Sequence, residues 1–252
     1  MKKTVWKNVW QTAVTLAFLV CVWVVVWAIV GNEGIVPSFS ASVKAFFAYF
    51  VNGGFWRALG STFLRVCIAF VLSFGLAAVL AFVSYLYPTF GRFFAPVAAV
   101  IRVLPVFAIV FLLLDWTNAW ITPVLVAFLS LFPMLYTTFL SALSGVDKGL
   151  VEMSKTYNVP LKKRITQLYL PSIAPLAVKE VGAGLGFAVK LVVSAEVLVR
   201  TAKSLGSLVL QTQYVYAELP QLFALVIAVC VIGFLLECLG GILSKALERR
   251  LQ

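Results

Sequence analysis

Four ionisable side chains stand inside long apolar stretches of the sequence: Arg102, Lys190, Glu196 and Glu237. Burying a charge in hydrocarbon costs about 2.5–3.5 kcal/mol or more, so such residues usually contact a charged solute or pair with each other. Lys190 could attract an anion, or its ammonium could snorkel towards an interface. Glu196 and Arg200 have the i,i+4 spacing of a helical ion pair, and Glu237 is interpreted as structural.

Enzyme chemistry finds little support in the other residues. The sequence has no histidine, which removes most general-base, metal-ligand and Ser-His arrangements. It also lacks the GxxxxGKS/T phosphate loop, so ATP is not bound by that route. The four cysteines lie in apolar runs without CxxC spacing, and predict neither disulfides nor a metal site. We therefore expect no catalytic residue, metal or cofactor in this chain.

Composition places these residues in an integral membrane protein. Of 252 residues, 63% are hydrophobic and only 12% are charged, whereas average usage is about 25% charged. The mean hydropathy is +1.05. The formal net charge of +11 is accounted for by membrane topology and anionic lipid, and needs no nucleic acid.

Apolar runs of about 20 residues, the length that crosses a bilayer, predict an all-α polytopic fold with about six transmembrane helices. We expect one domain over residues 1–252. The third run is interrupted by Pro96 and Pro105, and the GxxxG spacing at 182–186 predicts close packing of two helices. The predicted spans are Trp10–Val30, Val66–Leu86, Phe93–Leu114, Trp120–Leu143, Pro175–Val199 and Leu222–Ser244.

Lysine and arginine are concentrated in alternate segments between these spans, which predicts the orientation in the membrane. The basic N-terminus, Arg92, the 148–164 cluster and the basic C-terminus would all be inside. The opposite side holds fewer cations. The first apolar run is too long for a signal peptide, so we expect an uncleaved span. The Lys/Arg distribution predicts that both termini are cytoplasmic.

Residues 147–171 form the longest polar passage, and their pattern predicts a helix, a sharp turn and a second helix. Asp147 can cap the first helix, which would place Leu150, Met153, Ser154 and Tyr157 on roughly one face. Asn158-Val159-Pro160 would end it, since asparagine tolerates the left-handed conformation and proline stops a helix. The second helix, Leu161–Tyr169, is expected to end at Leu170-Pro171. Two such stops favour a docking element over a solvated connector.

The spacing of this element resembles the EAA signature of ABC-importer permeases: Glu-Ala-Ala, three residues, Gly, nine residues, Ile, one residue, Leu-Pro. The element lies before the second-to-last span, where that family has its signature. The positions that take part in the match are Glu152, Met153, Ser154, Asn158, Leu168, Leu170 and Pro171. Glu152, Leu170 and Pro171 match outright, whereas Met153 and Ser154 replace the alanines and Asn158 replaces the glycine.

Other segments resemble permeases of the nitrate/sulfonate/taurine group. Ser61 and Arg65 have the Ser-x-x-x-Arg spacing at the start of the second span, and "IRVLPVFAIVFLLLDW" is similar to the Arg-x-x-Pro third span, with Asp115 where a glycine is common. "VVSAEVL" and "SLGSLV" are similar to the Ala-Glu and Leu-Gly segments that follow.

The resemblance implies a type I ABC importer permease in the bacterial inner membrane. Such a chain pairs with a second permease, identical or related, docks two cytoplasmic ATPases through residues 147–171 and receives substrate from an external binding protein. Lys190, Glu196 and Arg102 would then be candidates to line the path, and the substrate would be a small anionic or zwitterionic solute. An ion-gradient-driven carrier or channel is the alternative, although it would favour internal repeats and intramembrane acids.

Overall fold

The computed structural model describes residues 2–216 and 218–251, and this part of the chain is helical without strands. Runs of apolar residues without Gly or Pro clusters favour helices, in which every backbone polar group is satisfied within the segment. The helices are α1 Lys2–Val30, α2 Phe39–Val51, α3 Gly53–Leu86, α4 Pro88–Val103, α5 Val106–Trp116, α6 Thr122–Ser144, α7 Lys148–Thr156, α8 Leu161–Arg164, α9 Leu170–Val199, α10 Leu205–Gln211 and α11 Leu219–Leu251. Two π-helical stretches, Ile165–Tyr169 and Thr212–Tyr216, complete the helical elements.

The chain divides into two compact units, the first made of residues 1–56 and 208–228. In this unit the indole of Trp23 packs against Phe39 and Phe223, with ring centroids 5.5 and 5.3 Å away. Its Nε1 donates a hydrogen bond to the Pro37 carbonyl at 3.0 Å. Ser38 caps α2 by accepting a hydrogen bond from Ala41 N–H. Trp23 therefore ties α1 to the loop that leads into α2.

The second unit holds residues 57–207 and 229–252, and α6 is at its centre. Helix α6 packs along α9 and also contacts α4 and α5. Its buried side is made of small and branched side chains with no exposed surface, such as Val126, Ala127, Leu131 and Leu135. Lipid tails are as apolar as these side chains, so close van der Waals packing along this seam is what holds α6 against α9.

The predicted all-α membrane fold is confirmed, and the bounds of several spans differ from the predicted ones. Among the described residues, four helices are long and apolar enough to cross a membrane, or five with one bent pair. The predicted second span is the C-terminal part of α3, which begins earlier, at Gly53. The predicted first span, Trp10–Val30, lies within α1, Lys2–Val30.

The predicted third span, Phe93–Leu114, is not one helix. Helices α4 and α5 meet at an angle of 96°. Pro96 lies inside α4 without breaking it, and the break falls at Leu104 and Pro105. A residue before proline is driven out of the α region, and Leu104 accordingly has ψ 128°. Of the two prolines, Pro105 alone interrupts the run.

The sequence predicted that the second helix of the 147–171 element ends at Leu170-Pro171. This prediction is wrong. The helical path is continuous over Leu161–Leu198. Pro171 has no N–H and would break an α-helical hydrogen bond, but the preceding stretch Ile165–Tyr169 is π-helical. There the Leu170 N–H reaches the Ile165 carbonyl, five residues back. The π turn thus shifts the hydrogen-bond register just before the missing donor.

The predicted close helix packing at 182–186 is confirmed. A Cβ placed on Gly182 would lie 2.5 Å from Gly240 Cα, and one on Gly186 would lie 2.8 Å from the Gly233 carbonyl oxygen. Ser244 of α11 also donates to the Pro175 carbonyl at 2.6 Å. The order of these contacts makes α9 and α11 antiparallel, with backbones that approach as closely as only glycine permits.

Candidate functional site

The start of α7 is fixed by a side-chain cap. Asp147 Oδ1 accepts hydrogen bonds from the Gly149 N–H at 2.7 Å and the Leu150 N–H at 3.4 Å. These donors belong to the first helical turn, where no backbone acceptor is available. The predicted Asp147 cap is therefore confirmed. The negative charge of its carboxylate also interacts favourably with the positive N-terminal end of the helix dipole.

The end of α7 is a Schellman turn centred on Asn158. Asn158 has φ 47°, in the left-handed region. The Asn158 N–H donates to the Lys155 carbonyl and the Val159 N–H to the Ser154 carbonyl, both at 2.9 Å. These are the two hydrogen bonds of that motif, which usually uses glycine. Asn158 therefore supplies the conformation that a glycine would supply at this position of the signature.

Helix α7 presents an apolar face outwards. Leu150, Met153 and Tyr157 are 46%, 53% and 77% exposed, whereas Val151 is 8% exposed. Ser154, predicted on the same face as Leu150, Met153 and Tyr157, lies on the buried side instead, and its Oγ donates to the Val151 carbonyl at 2.7 Å. Spacings of three, four and seven residues bring Leu150, Met153 and Tyr157 together on one stripe.

The remaining signature positions divide between surface and interior. Glu152 is exposed on α7, and Leu168 is partly buried in the π-helical stretch. Leu170 and Pro171 border an apolar cavity of about 630 Å³ between α3, α6 and α9. Tyr169, beside them, is buried and makes edge contacts with Phe82 and Tyr85. The element is thus anchored at its C-terminal end by aromatic packing.

A buried ion pair joins α3 to the far end of α9. Arg65 Nη1 donates to Glu196 Oε1 at 2.6 Å, and the two side chains are 1% and 0% exposed. The second oxygen, Oε2, accepts from Thr62 Oγ1 at 2.9 Å and from the Gly206 N–H at 3.2 Å. A buried carboxylate is tolerated when its charge and lone pairs are matched in this way.

The predicted pairing of Glu196 with Arg200 is wrong. Arg200 is exposed and has φ 54°, and it ends α9 in a left-handed turn. The Thr201 N–H donates back to the Glu196 carbonyl there. Since the chain leaves the helix at Arg200, the side chains at 196 and 200 do not share a helical face. The full burial of Glu196 is also at odds with a path-lining role.

Two further contacts complete this node, the cluster formed by Thr62, Arg65, Glu196 and Gly206. The Arg65 guanidinium lies over the Trp120 ring, 5.6 Å from its centroid, in a cation–π contact. Gly206 packs directly on Glu196, since a Cβ on Gly206 would lie 2.5 Å from Glu196 Cβ. Thr62 and Trp120 were not predicted from the sequence. Neither carries a local signal, because the contacts are with residues remote in the chain.

The other two candidates for a path lie at the surface of the second unit. Arg102 is exposed in the last turn of α4. Lys190 of α9 is exposed and lines a cavity of about 420 Å³ together with Glu237 of α11. Among the side chains that the structure describes, Arg65 and Glu196 form the only salt bridge, so Lys190 and Glu237 are not paired. Residues 2–216 and 218–251 contain no cluster of three His, Cys, Asp or Glu residues able to hold a metal ion.

Comparison with known proteins supplies the context for these sites. The sequence model of the family "Binding-protein-dependent transport system inner membrane component" matches residues 73–251. No curated protein sequence matches the chain.

Solved structures show the same fold. A bacterial ABC transporter involved in import of the acidic polysaccharide alginate aligns with a TM-score of 0.66 at 15% identity, covering 96% of this chain and 98% of the other. The alginate ABC transporter in complex with its pentasaccharide-bound periplasmic protein aligns with a TM-score of 0.67 at 14% identity, covering 96% and 97%. The inward-facing MetNI methionine ABC transporter aligns at 0.58 with 16% identity, covering 76% and 93%.

Proposed function

We propose roles in transport for individual residues of this chain, which belongs to the family of binding-protein-dependent transport system inner membrane components. It is a membrane-spanning permease subunit of an ABC importer. We propose that it works with a second permease, two cytoplasmic ATPases and an external binding protein. ATP would be bound by the partner ATPases, since the sequence has no phosphate loop.

The observation that carries the proposal is the outward apolar face of α7. Leu150, Met153 and Tyr157 are exposed on a helix whose two ends are fixed by Asp147 and Asn158. An apolar stripe of this kind fits a groove on a protein partner, as helices recognised by grooves do. Because both caps are rigid and Tyr169 is buried, a push on α7 would be transmitted to α9. Rigid-body movement of helices could then alternate access to the path.

The substrate that we propose is a small anionic or zwitterionic solute. This proposal is supported by the exposed ammonium of Lys190 in a cavity of the second unit. The structural relatives named above carry alginate or methionine, and at 14–16% identity they indicate the fold and leave the substrate of this chain open.

The docking role is tested by placing a charge on the exposed stripe of α7. In the full transporter, Met153→Asp and Glu152→Lys should abolish ATP-dependent uptake or coupling while the chain still inserts into the membrane. Met153→Leu is the matched control, since it keeps an apolar side chain of similar volume and should retain uptake. Normal uptake by both charged variants would refute the proposed contact.

The ion-gradient alternative is separated by reconstitution. The chain alone in vesicles should move no solute under a sodium or proton gradient. Adding the ATPases, the binding protein and any partner permease should give uptake that requires ATP. Gradient-driven transport by the lone chain would contradict the importer mechanism.

A further inference from the structure

The cavity between α9 and α11 contains two opposite charges on an otherwise apolar wall. Lys190 comes from α9 and Glu237 from α11, and both side chains are exposed. The wall between them includes Gly186, Phe187 and Phe234. With about 420 Å³, the cavity has the size of a small-molecule site.

Helix geometry directs the two charges into the same space. The contacts of Gly182 with Gly240 and of Gly186 with Gly233 make the helices antiparallel. A helical side chain leans towards the N-terminus of its own helix. Lys190 follows Gly186 in α9 and Glu237 follows Gly233 in α11, so each leans back past this glycine contact towards the other. They nevertheless form no salt bridge. Among the described residues, Arg65 and Glu196 form the only one.

An unpaired charge within a membrane-spanning helix cannot face hydrocarbon without a large penalty. Lys190 lies within the membrane-spanning helix Leu161–Leu198, and Glu237 lies within Leu219–Arg250. Ionisable residues inside spans face water-filled cavities or partners in almost all cases. A cavity that admits water or a solute would remove this penalty for both side chains.

We propose that this cavity is a water-lined binding site for a solute with separated positive and negative groups, held between Lys190 and Glu237. Lys190 would bind a carboxylate, sulfonate or phosphonate, and Glu237 an ammonium or guanidinium. A simple anion would be repelled by Glu237, so the pair favours zwitterions over the anions that Lys190 alone would admit. This inference rests on the proposed transport function and refines its substrate class.

A native cysteine allows the site to be tested without knowing the substrate. Cys230 lines the same cavity, whereas the other cysteines, Cys21, Cys67 and Cys238, do not. In the full transporter in membrane vesicles, those three are replaced by alanine and Cys230 is kept. Its reaction is measured with methanethiosulfonates carrying a sulfonate or a trimethylammonium group, and with an uncharged lipid-soluble maleimide.

A water-lined site predicts that both charged reagents modify Cys230. Lys190→Gln should then lower the rate with the sulfonate reagent relative to the ammonium reagent, and Glu237→Gln should do the opposite, each by roughly three- to tenfold. The matched control has Cys230 replaced by alanine and Leu235→Cys on the same helix. Leu235 is 54% exposed but does not line the cavity, so it should show no such dependence on either charge.

Three results would overturn the inference. Reaction with the maleimide alone would mean that the cavity faces lipid, and no reaction with any reagent would mean that a protein chain covers it. The two-charge site would also be contradicted if Lys190→Gln and Glu237→Gln left the rates at which the charged reagents modify Cys230 unchanged. ATP hydrolysis stimulated by the binding protein is measured in the same vesicles. If it persists, the site is refuted while the importer function stands.

Discussion

The Arg65 guanidinium donates to Glu196 across 2.6 Å in the interior of the second unit, joining the start of α3 to the end of α9. The same carboxylate accepts from Thr62 and from the backbone of Gly206, so it also holds the loop after α9. Leu205 N–H in turn donates to Thr62 Oγ1 at 3.0 Å. One charge thereby fixes α3 to the end of α9 and to the loop that follows it.

Removing one member of this pair should be strongly destabilising. Arg65→Met leaves an uncompensated carboxylate in the interior, and Glu196→Gln leaves a buried guanidinium. Breaking a buried pair from one side costs about 3–5 kcal/mol. We expect both variants to lower the unfolding temperature of the purified chain in detergent, and to lower its yield from membranes.

The double variant Arg65→Met/Glu196→Met is the informative control. Because it removes both charges together, it should lose less stability than the sum of the single variants. Glu248→Gln, at an exposed position of α11, should change the unfolding temperature little. Additive losses in the double variant would show that the two charges do not act as a pair.

The sequence pointed to Arg65, Glu196 and Gly206 but not to Thr62 or Trp120, and it did not indicate how these residues pair. Arg65, Glu196 and Gly206 each lie in a segment that resembled permeases, yet nothing in the sequence indicated that those segments meet. Local spacing favoured Arg200 for Glu196, whereas the observed partner is 131 residues away. Helical periodicity describes neighbours on one helix, and contacts between helices depend on packing that it does not encode.

Breaks in the helices were predicted less well than the helices themselves. The apolar runs correctly indicated α3, α6, α9 and α11, since length and hydropathy dominate helix formation in a membrane. Pro105 lies at the sharp bend between α4 and α5, whereas Pro96 and Pro171 are accommodated within helical segments. A proline leaves the carbonyl four residues earlier without its N–H donor. Whether the helix continues depends on neighbouring groups that can satisfy this carbonyl, and these come from tertiary contacts.

The left-handed turn at Asn158 makes a prediction about the 147–171 element. Asn158→Gly should keep or slightly improve the turn, because glycine adopts positive φ without strain. Asn158→Val should impair it, since a β-branched residue at φ 47° is strained by about 1–3 kcal/mol. We expect ATP-dependent uptake to be retained by the first variant and reduced in the second.

Limited proteolysis provides an independent measurement of the same turn. The valine variant should be cleaved faster after Lys155, Lys162 or Lys163 than the glycine variant in membranes. Equal cleavage and equal uptake in the two variants would show that the left-handed conformation at 158 has no role in coupling.

The distribution of lysine and arginine predicts cytoplasmic termini. Green fluorescent protein fused after Gln252, or inserted after Asn158, should fluoresce, because it folds in the cytoplasm. Alkaline phosphatase fused after Lys203, beyond the end of α9, should be active, because it folds outside. Phosphatase activity from a fusion after Gln252 would reverse the predicted orientation.

Two adjacent glycines of α11 give the sharpest test of how closely α9 and α11 must approach. A Cβ on Gly240 would overlap the backbone of Gly182, whereas a Cβ on Gly241 would meet nothing within 4 Å. Gly240→Ala must therefore push the helices apart, and such overpacking typically costs about 1–3 kcal/mol. Gly241→Ala should be neutral or slightly stabilising, since alanine is the better helix former. Both variants add one methyl group at neighbouring positions of the same helix, so the added hydrophobicity is matched. A lower unfolding temperature in Gly240→Ala alone would establish that backbone contact sets the spacing. Equal unfolding temperatures would mean that α9 and α11 separate freely, and the cavity of Lys190 and Glu237 would then have no fixed wall.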